Sequence, residues 1–115
     1  MKREYWDYLE DISDSLNTIK DFTAGMTFEA FKQDRKTIFA VVRALEIIGE
    51  ATKNLPPEVK NRFDAIPWKD MARMRDKLIH EYFGVDLDTV WKTVQEDVPA
   101  VRELLTKLME SLGEA

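Results

Sequence analysis

Apolar residues recur at intervals of three and four along most of the chain. Tyr5, Leu9, Ile12, Leu16, Ile19 and Phe22 trace one face of a first helix that ends near Gly25. Thr27 suits the cap of a second helix, in which Phe28, Phe31, Ile38, Val41, Val42, Leu45 and Ile48 form a wide stripe closed by Asn54-Leu55-Pro56-Pro57. The pattern predicts about seven turns at ~3.6 residues each. Gly49 inside it costs about 1 kcal/mol in helix propensity relative to alanine. A close helix crossing or a neighbour's approach would explain its presence.

Residues 57–63 read as a short helix, and Asp64-Ala65-Ile66-Pro67 turns the chain so that Pro67 enters the first turn of the next one. That helix spans residues 68–83 and is closed by Gly84. From Leu87 onward, Val90, Val94, Val98, Val101, Leu105, Leu108 and Leu112 keep helical spacing straight through Pro99. A proline lacks the backbone donor, so a kink or a fresh start is expected at Pro99, with Asp97 or Val98 beside the break. No strand-like alternation, repeat or low-complexity linker interrupts the series. The expectation is an all-α bundle of about four main helices and one short one, forming one domain over residues 1–115.

Lysine and arginine number 17 against 22 aspartates and glutamates, a formal charge of −5. A polyanion must therefore meet a local basic patch rather than the whole surface. Cysteine is absent and His80 is the single histidine. Disulfide frameworks, thiolate nucleophiles, cysteine-based metal motifs and an HExxH site within one chain are thereby excluded. The longest stretch without a charged residue is seven, from Phe22 to Phe28, far short of the ~20 apolar residues that span a bilayer. The start, MKREYWDYLED, has acids where a signal peptide needs its apolar stretch. These features predict a cytoplasmic protein without membrane association.

Residues 68–82 depart from a generic bundle helix. On a wheel of ~100° per residue, Trp68, Met71, Ala72, Leu78, Ile79 and Tyr82 share an apolar arc with Arg75 near its middle. An unpaired buried guanidinium costs several kcal/mol, so Arg75 must find a carboxylate, snorkel, or line a wet cleft at an interface. His80 lies on the flank with Lys69, Arg73 and Asp76. Residues 69–80 hold Lys69, Arg73, Arg75 and Lys77 against Asp70 and Asp76, a patch able to attract a phosphodiester backbone. Lys69, Arg73 and Lys77 are the candidate RNA contacts.

A lone histidine is often structural, holding a hydrogen bond at a helix end. Here it stands beside arginine, which stabilises negative charge on phosphate, while an imidazole titrating near neutrality moves protons. These parts suffice for RNA cleavage without a metal or other cofactor. A base takes the ribose 2′-hydroxyl proton, the oxygen attacks the adjacent phosphorus, and an acid protonates the departing 5′-oxygen. One imidazole cannot easily serve both ends, and Arg75 and His80 lie about 140° apart around an ideal helix. A homodimer pairing two copies of this helix answers both objections.

The order Arg75-Asp76-Lys77-Leu78-Ile79-His80-Glu81-Tyr82 resembles the motif of the HEPN superfamily, specifically its HepT-like toxins. Leu45-Glu46-Ile47-Ile48-Gly49-Glu50-Ala51 is similar to the second-helix signature of that family. Ile66-Pro67-Trp68 resembles the entry to its motif helix, and Phe83-Gly84-Val85-Asp86 with Val90-Trp91 the segment after it. The likeness covers about residues 28–99.

The resemblance implies an HEPN-type helical bundle dimerising around the motif helix. It also implies a metal-independent endoribonuclease toxin with Arg75 and His80 as catalytic residues and Asp76 assisting or orienting them. It further implies a minimal nucleotidyltransferase antitoxin that transfers AMP from ATP to the motif tyrosine, here Tyr82. Phosphate charge and bulk at that place would repel and block RNA.

Plain packing also accounts for the ring of Tyr82, and the two readings are compatible. For Gly49 with Glu46 and Glu50, close helix packing with a solvated acidic flank is favoured over a functional surface. Trp68 and Trp91 are expected in the core, while Trp6 lies beside the main stripe of the first helix. The alternative to an enzyme is a noncatalytic HEPN module that helps a nucleotidyltransferase bind its substrate or serves as its modification target.

Overall fold

The computed structural model describes the backbone of residues 2–79 and 86–113 and, within these, the side chains other than those at 2–4, 75 and 77–79. All regular structure among these residues is helical. Helix α1 spans Lys2–Thr23, α2 Phe28–Gln33, α3 Arg35–Lys53, α4 Pro57–Arg62, α5 Trp68–Ile79, α6 Leu87–Lys92 and α7 Val98–Gly113, with a π-helical turn, Thr93–Asp97, joining the last two. Helix α3 is the centre of the packing: α1 lies along it, α5 lies along it, and α7 covers α1.

The expected stripe of α1 is largely the observed one, with Leu9, Ile12, Leu16 and Ile19 removed from solvent. Its last member differs. Phe22 is 53% exposed, and Thr23 is buried in its place. The Thr23 hydroxyl donates to the carbonyl of Ile19 at 2.7 Å, which satisfies the polar atom without leaving the helix. Thr52 repeats the device in α3, donating to Ile48 O at 2.7 Å with no exposed surface.

The long second helix predicted from the stripe is two helices. Thr27 caps α2 as expected, its hydroxyl accepting from the Ala30 N–H at 3.1 Å. Asp34 then leaves helical geometry at φ −105° and ψ 86°, ends α2, and starts α3 by accepting the Thr37 N–H at 3.0 Å. The hydrogen bond to its own downstream backbone outcompetes continuation of the helix. Phe31 and Ile38 are seven residues apart, so the stripe stays in phase across this break.

At Pro99 the expected disturbance takes the form of the wide turn Thr93–Asp97, in which the Val98 N–H reaches back to the carbonyl of Thr93. A proline in an α-helix would press its ring on the carbonyl four residues before, and the wider turn relieves that contact. Val90, Val94, Val98 and Val101 all remain buried across it. Trp91 packs against Phe31 at 5.0 Å and Phe28 at 6.1 Å between ring centroids, tying α6 to α2. Among the described residues no helix is long and apolar enough to cross a membrane.

Candidate active site

Helix α5 begins where the sequence expects it. Pro67 supplies no N–H but its carbonyl accepts from Met71 at 3.0 Å, and Asp70 sits in the first turn, where the helix dipole favours an acid. The indole N–H of Trp68 is shared between the carbonyls of Lys60 at 3.1 Å and Phe63 at 3.0 Å. It satisfies two acceptors at the end of α4 and fixes the start of α5 against it.

Trp68, Met71 and Met74 bury one side of α5. Met74 was not part of the predicted arc. The opposite side exposes Lys69, Asp70, Arg73 and Asp76. Lys69 and Asp76 lie two turns apart and within about 20° of each other around the axis, with Arg73 about 40° to one side of Lys69. The structure therefore brings these three predicted residues onto one solvent edge.

A residue that the sequence reading missed lies beside Asp76. Lys53, in the last turn of α3, places Nζ 3.9 Å from Asp76 Oδ2, with the two side chains 43% and 57% exposed. The available signal was a cation closing the helix whose stripe contains Gly49, the position that called for a close neighbour. Gly49 is indeed buried in α3, as are Leu45, Ile48 and Ala51. Glu50 stays exposed, and Glu46 pairs with Arg43 at 3.5 Å. Close packing with an acidic flank thus accounts for this stretch.

A cleft of about 840 Å³ opens between α5 and the start of α7. Met71, Met74, Val101 and Leu104 form its apolar wall, and Arg73 and Asp76 reach its border. Trp68 is buried and Trp91 is half-buried against the aromatic rings of α2, so both act in packing, as expected. Trp6 is half-buried, its ring 3.8 Å from the position a Cβ would take on Gly113.

Arg75 and Lys77 fall within α5, but their side chains, and the whole of His80 and Tyr82, lie outside the described residues. So does the remainder of the helix expected over 68–83. Where description resumes, Asp86 caps α6: its carboxylate accepts the Thr89 hydroxyl at 2.7 Å and the Thr89 N–H at 3.2 Å. These two bonds, the hydroxyl first, hold the Asp86 carboxyl below its ordinary range. Among the described residues no three carboxylate or imidazole groups gather closely enough to hold a metal ion.

A family model described as ribonuclease HepT-like matches residues 12–108, from the middle of α1 into α7. The chain belongs to the HepT-like ribonuclease family. It is 56% identical over 108 residues to a probable ribonuclease HepT of Thermococcus cleftensis, covering 94% of this chain and 98% of that one. It is 49% identical over 98 residues to a Methanocaldococcus jannaschii protein provisionally named as an RNase, covering 85% and 81% of the two chains. A similarly named protein of Caldanaerobacter subterraneus is 42% identical over 103 residues, 90% of this chain and 92% of that one. No solved structure matches significantly. The all-α, HEPN-type bundle expected of a HepT-like chain is the architecture observed.

Proposed function

We propose that this HepT-like chain is the endoribonuclease toxin of a toxin–antitoxin pair, working in the cytoplasm as a homodimer whose paired α5 helices complete the site. The supporting observation is that the family match runs through α5, whose solvent edge presents Lys69, Arg73 and Asp76 just before the Arg75-to-His80 motif. In a chain of charge −5, this edge is where a polyanion finds cations.

Arg75 neutralises charge building on the scissile phosphate, and His80 exchanges protons with the sugar oxygens. The 2′-oxygen loses its proton to a base and bonds to phosphorus. The bond from phosphorus to the 5′-oxygen breaks, and that oxygen gains a proton, leaving a 2′,3′-cyclic phosphate. The two imidazoles of the dimer divide the base and acid roles. Asp76 orients these groups, Lys69, Arg73 and Lys77 hold flanking phosphates, and no metal or other cofactor takes part.

Neutralisation follows from AMP transfer by a minimal nucleotidyltransferase antitoxin. The phenolic oxygen of Tyr82 bonds to the α-phosphorus of ATP, pyrophosphate leaves, and the phenol proton is lost. A phosphodiester at that place opposes RNA by charge and bulk.

The deciding experiment incubates the purified chain and its His80→Ala variant with RNA, with helicity checked by circular dichroism. Cleavage by the wild type and its loss in the folded variant support the reading, while cleavage retained by the variant refutes it. Association with the nucleotidyltransferase without RNA cleavage would favour the noncatalytic module. Mass measurement after incubation with that partner and ATP tests Tyr82, since AMP found elsewhere refutes the assignment.

A further inference from the structure

The ribonuclease reading uses Lys69 of α5 but not the rest of a groove of about 520 Å³ that Lys69 lines between α4 and α5. Its apolar lining is Pro57, Ile66, Pro67 and the small exposed part of Trp68, joined by Lys60 and Asn61 from α4 and Lys69 from α5. Neither ammonium has an ion-pair partner among the described residues. Asp64 is the one acid on the lining, so two cations face one anion in an otherwise acidic molecule.

The groove is held in shape. The indole N–H of Trp68 binds the carbonyl of Lys60 itself, so the residue carrying one ammonium is fixed next to the turn that carries the other. A site built before its ligand arrives loses less ordering entropy on binding. Apolar lining, cations and a side-chain amide match the three surfaces of a nucleotide: the flat face of a base or sugar, the phosphate, and the polar base edge.

The groove shares Lys69 with the α5 edge assigned to the proposed chemistry. Lys69 lies on the same line of α5 as Asp76, about 10 Å along the axis at ~1.5 Å per residue. Lys53 stands at the far end of that line, beside Asp76. The two groove lysines thus lie at the start of the α5 edge whose other end carries Asp76.

We infer that the α4–α5 groove, with Lys60, Asn61 and Lys69, is an RNA subsite that holds the strand flanking the scissile linkage. This rests on the ribonuclease reading for the identity of the strand. The groove selects single-stranded RNA, because an apolar lining receives a base only when that base is not stacked within a duplex.

The test measures binding of a short, fluorescently labelled 2′-O-methyl RNA of mixed sequence, which lacks the attacking hydroxyl and cannot be cleaved. Lys60→Glu is compared in the full chain with Lys20→Glu, which makes the same charge change on α1, outside the groove. Lys60→Glu is expected to weaken binding by about tenfold more than the control, and Lys60→Ala to lower the slope of log affinity against log salt by ~0.7, one single-strand phosphate contact. Equal affinities for the two charge-reversal variants, with both folded, overturn the subsite. Cleavage of unmodified RNA separates the two ideas. A wild type that binds through Lys60 but never cleaves removes the ribonuclease reading and leaves the groove. A wild type that cleaves, with Lys60→Glu binding and cleaving as Lys20→Glu does, removes the groove alone.

Discussion

Lys53 Nζ stands 3.9 Å from Asp76 Oδ2, linking the end of α3 to the exposed edge of α5. Both side chains reach solvent, so the pair contributes less than ~1 kcal/mol to stability. Its consequence lies in where the Asp76 carboxylate is held. If Asp76 orients the catalytic groups, Lys53→Ala lowers kcat for RNA cleavage by up to about fivefold, the rate equivalent of that coupling. Lys53→Arg keeps most of the rate, and melting temperature changes little in either. Steady-state cleavage kinetics with thermal melts check this, and a change in KM alone would assign Lys53 to RNA binding instead.

Met71 and Arg73 are neighbours on α5 with opposite fates. Met71 is wholly buried, so Met71→Ala should destabilise the fold by about 2–5 kcal/mol through lost burial and a residual void. Arg73 is exposed, and Arg73→Ala should stay within about 0.5 kcal/mol of the parent. Urea unfolding of the two variants measures both. The reverse order would mean that α5 packs with another face.

Asp34 and Asp86 each begin a helix. Asp34 is held below its ordinary 3.8 first by the Thr37 N–H, and Asp86 first by the Thr89 hydroxyl. A carboxyl depressed in the folded state adds stability above its unfolded value and loses it as pH falls through the folded value. Acid melting should therefore steepen below 3.8. The double variant Asp34→Asn with Asp86→Asn retains cap acceptors without the titration, so its melting temperature should fall less over the same range. Parallel curves for parent and variant would contradict this.

Trp68→Phe preserves a ring on the core but removes the N–H shared by Lys60 and Phe63. The loss should cost about 1–2 kcal/mol, since two acceptors lose a donor. Hydrogen exchange should show earlier opening in α4 and the first turn of α5 than in α1. Uniform acceleration across the bundle would show that the indole does not act locally.

Much of this architecture is legible in the spacing of apolar residues. Leu9, Ile12, Leu16, Val41, Leu45, Ile48, Met71, Val90 and Leu105 are all buried, as their periodicity predicts. Periodicity is blind to polar groups that satisfy themselves locally. Thr23 and Thr52 fall outside the apolar stripes, yet each turns its hydroxyl back to its own helix and enters the core. It also misses a break that leaves the stripe in phase, as Asp34 does. The shared exposed edge of Lys69, Arg73 and Asp76 was readable because they sit on one helix. Lys53 and Lys60 were not, because their nearness to α5 depends on how α3 and α4 are laid against it.

Asp34 ends one helix and starts the next, so no slack separates α2 from α3. The heading of α2, and with it the seating of Phe28 and Phe31 on Trp91, is steered by a single pair of backbone torsions. One inserted residue at that joint would swing both rings away from α6, the helix that follows the motif segment in the chain. Length variation should therefore be tolerated far less here than at the Gly25 turn, although this joint is more than forty positions upstream of His80.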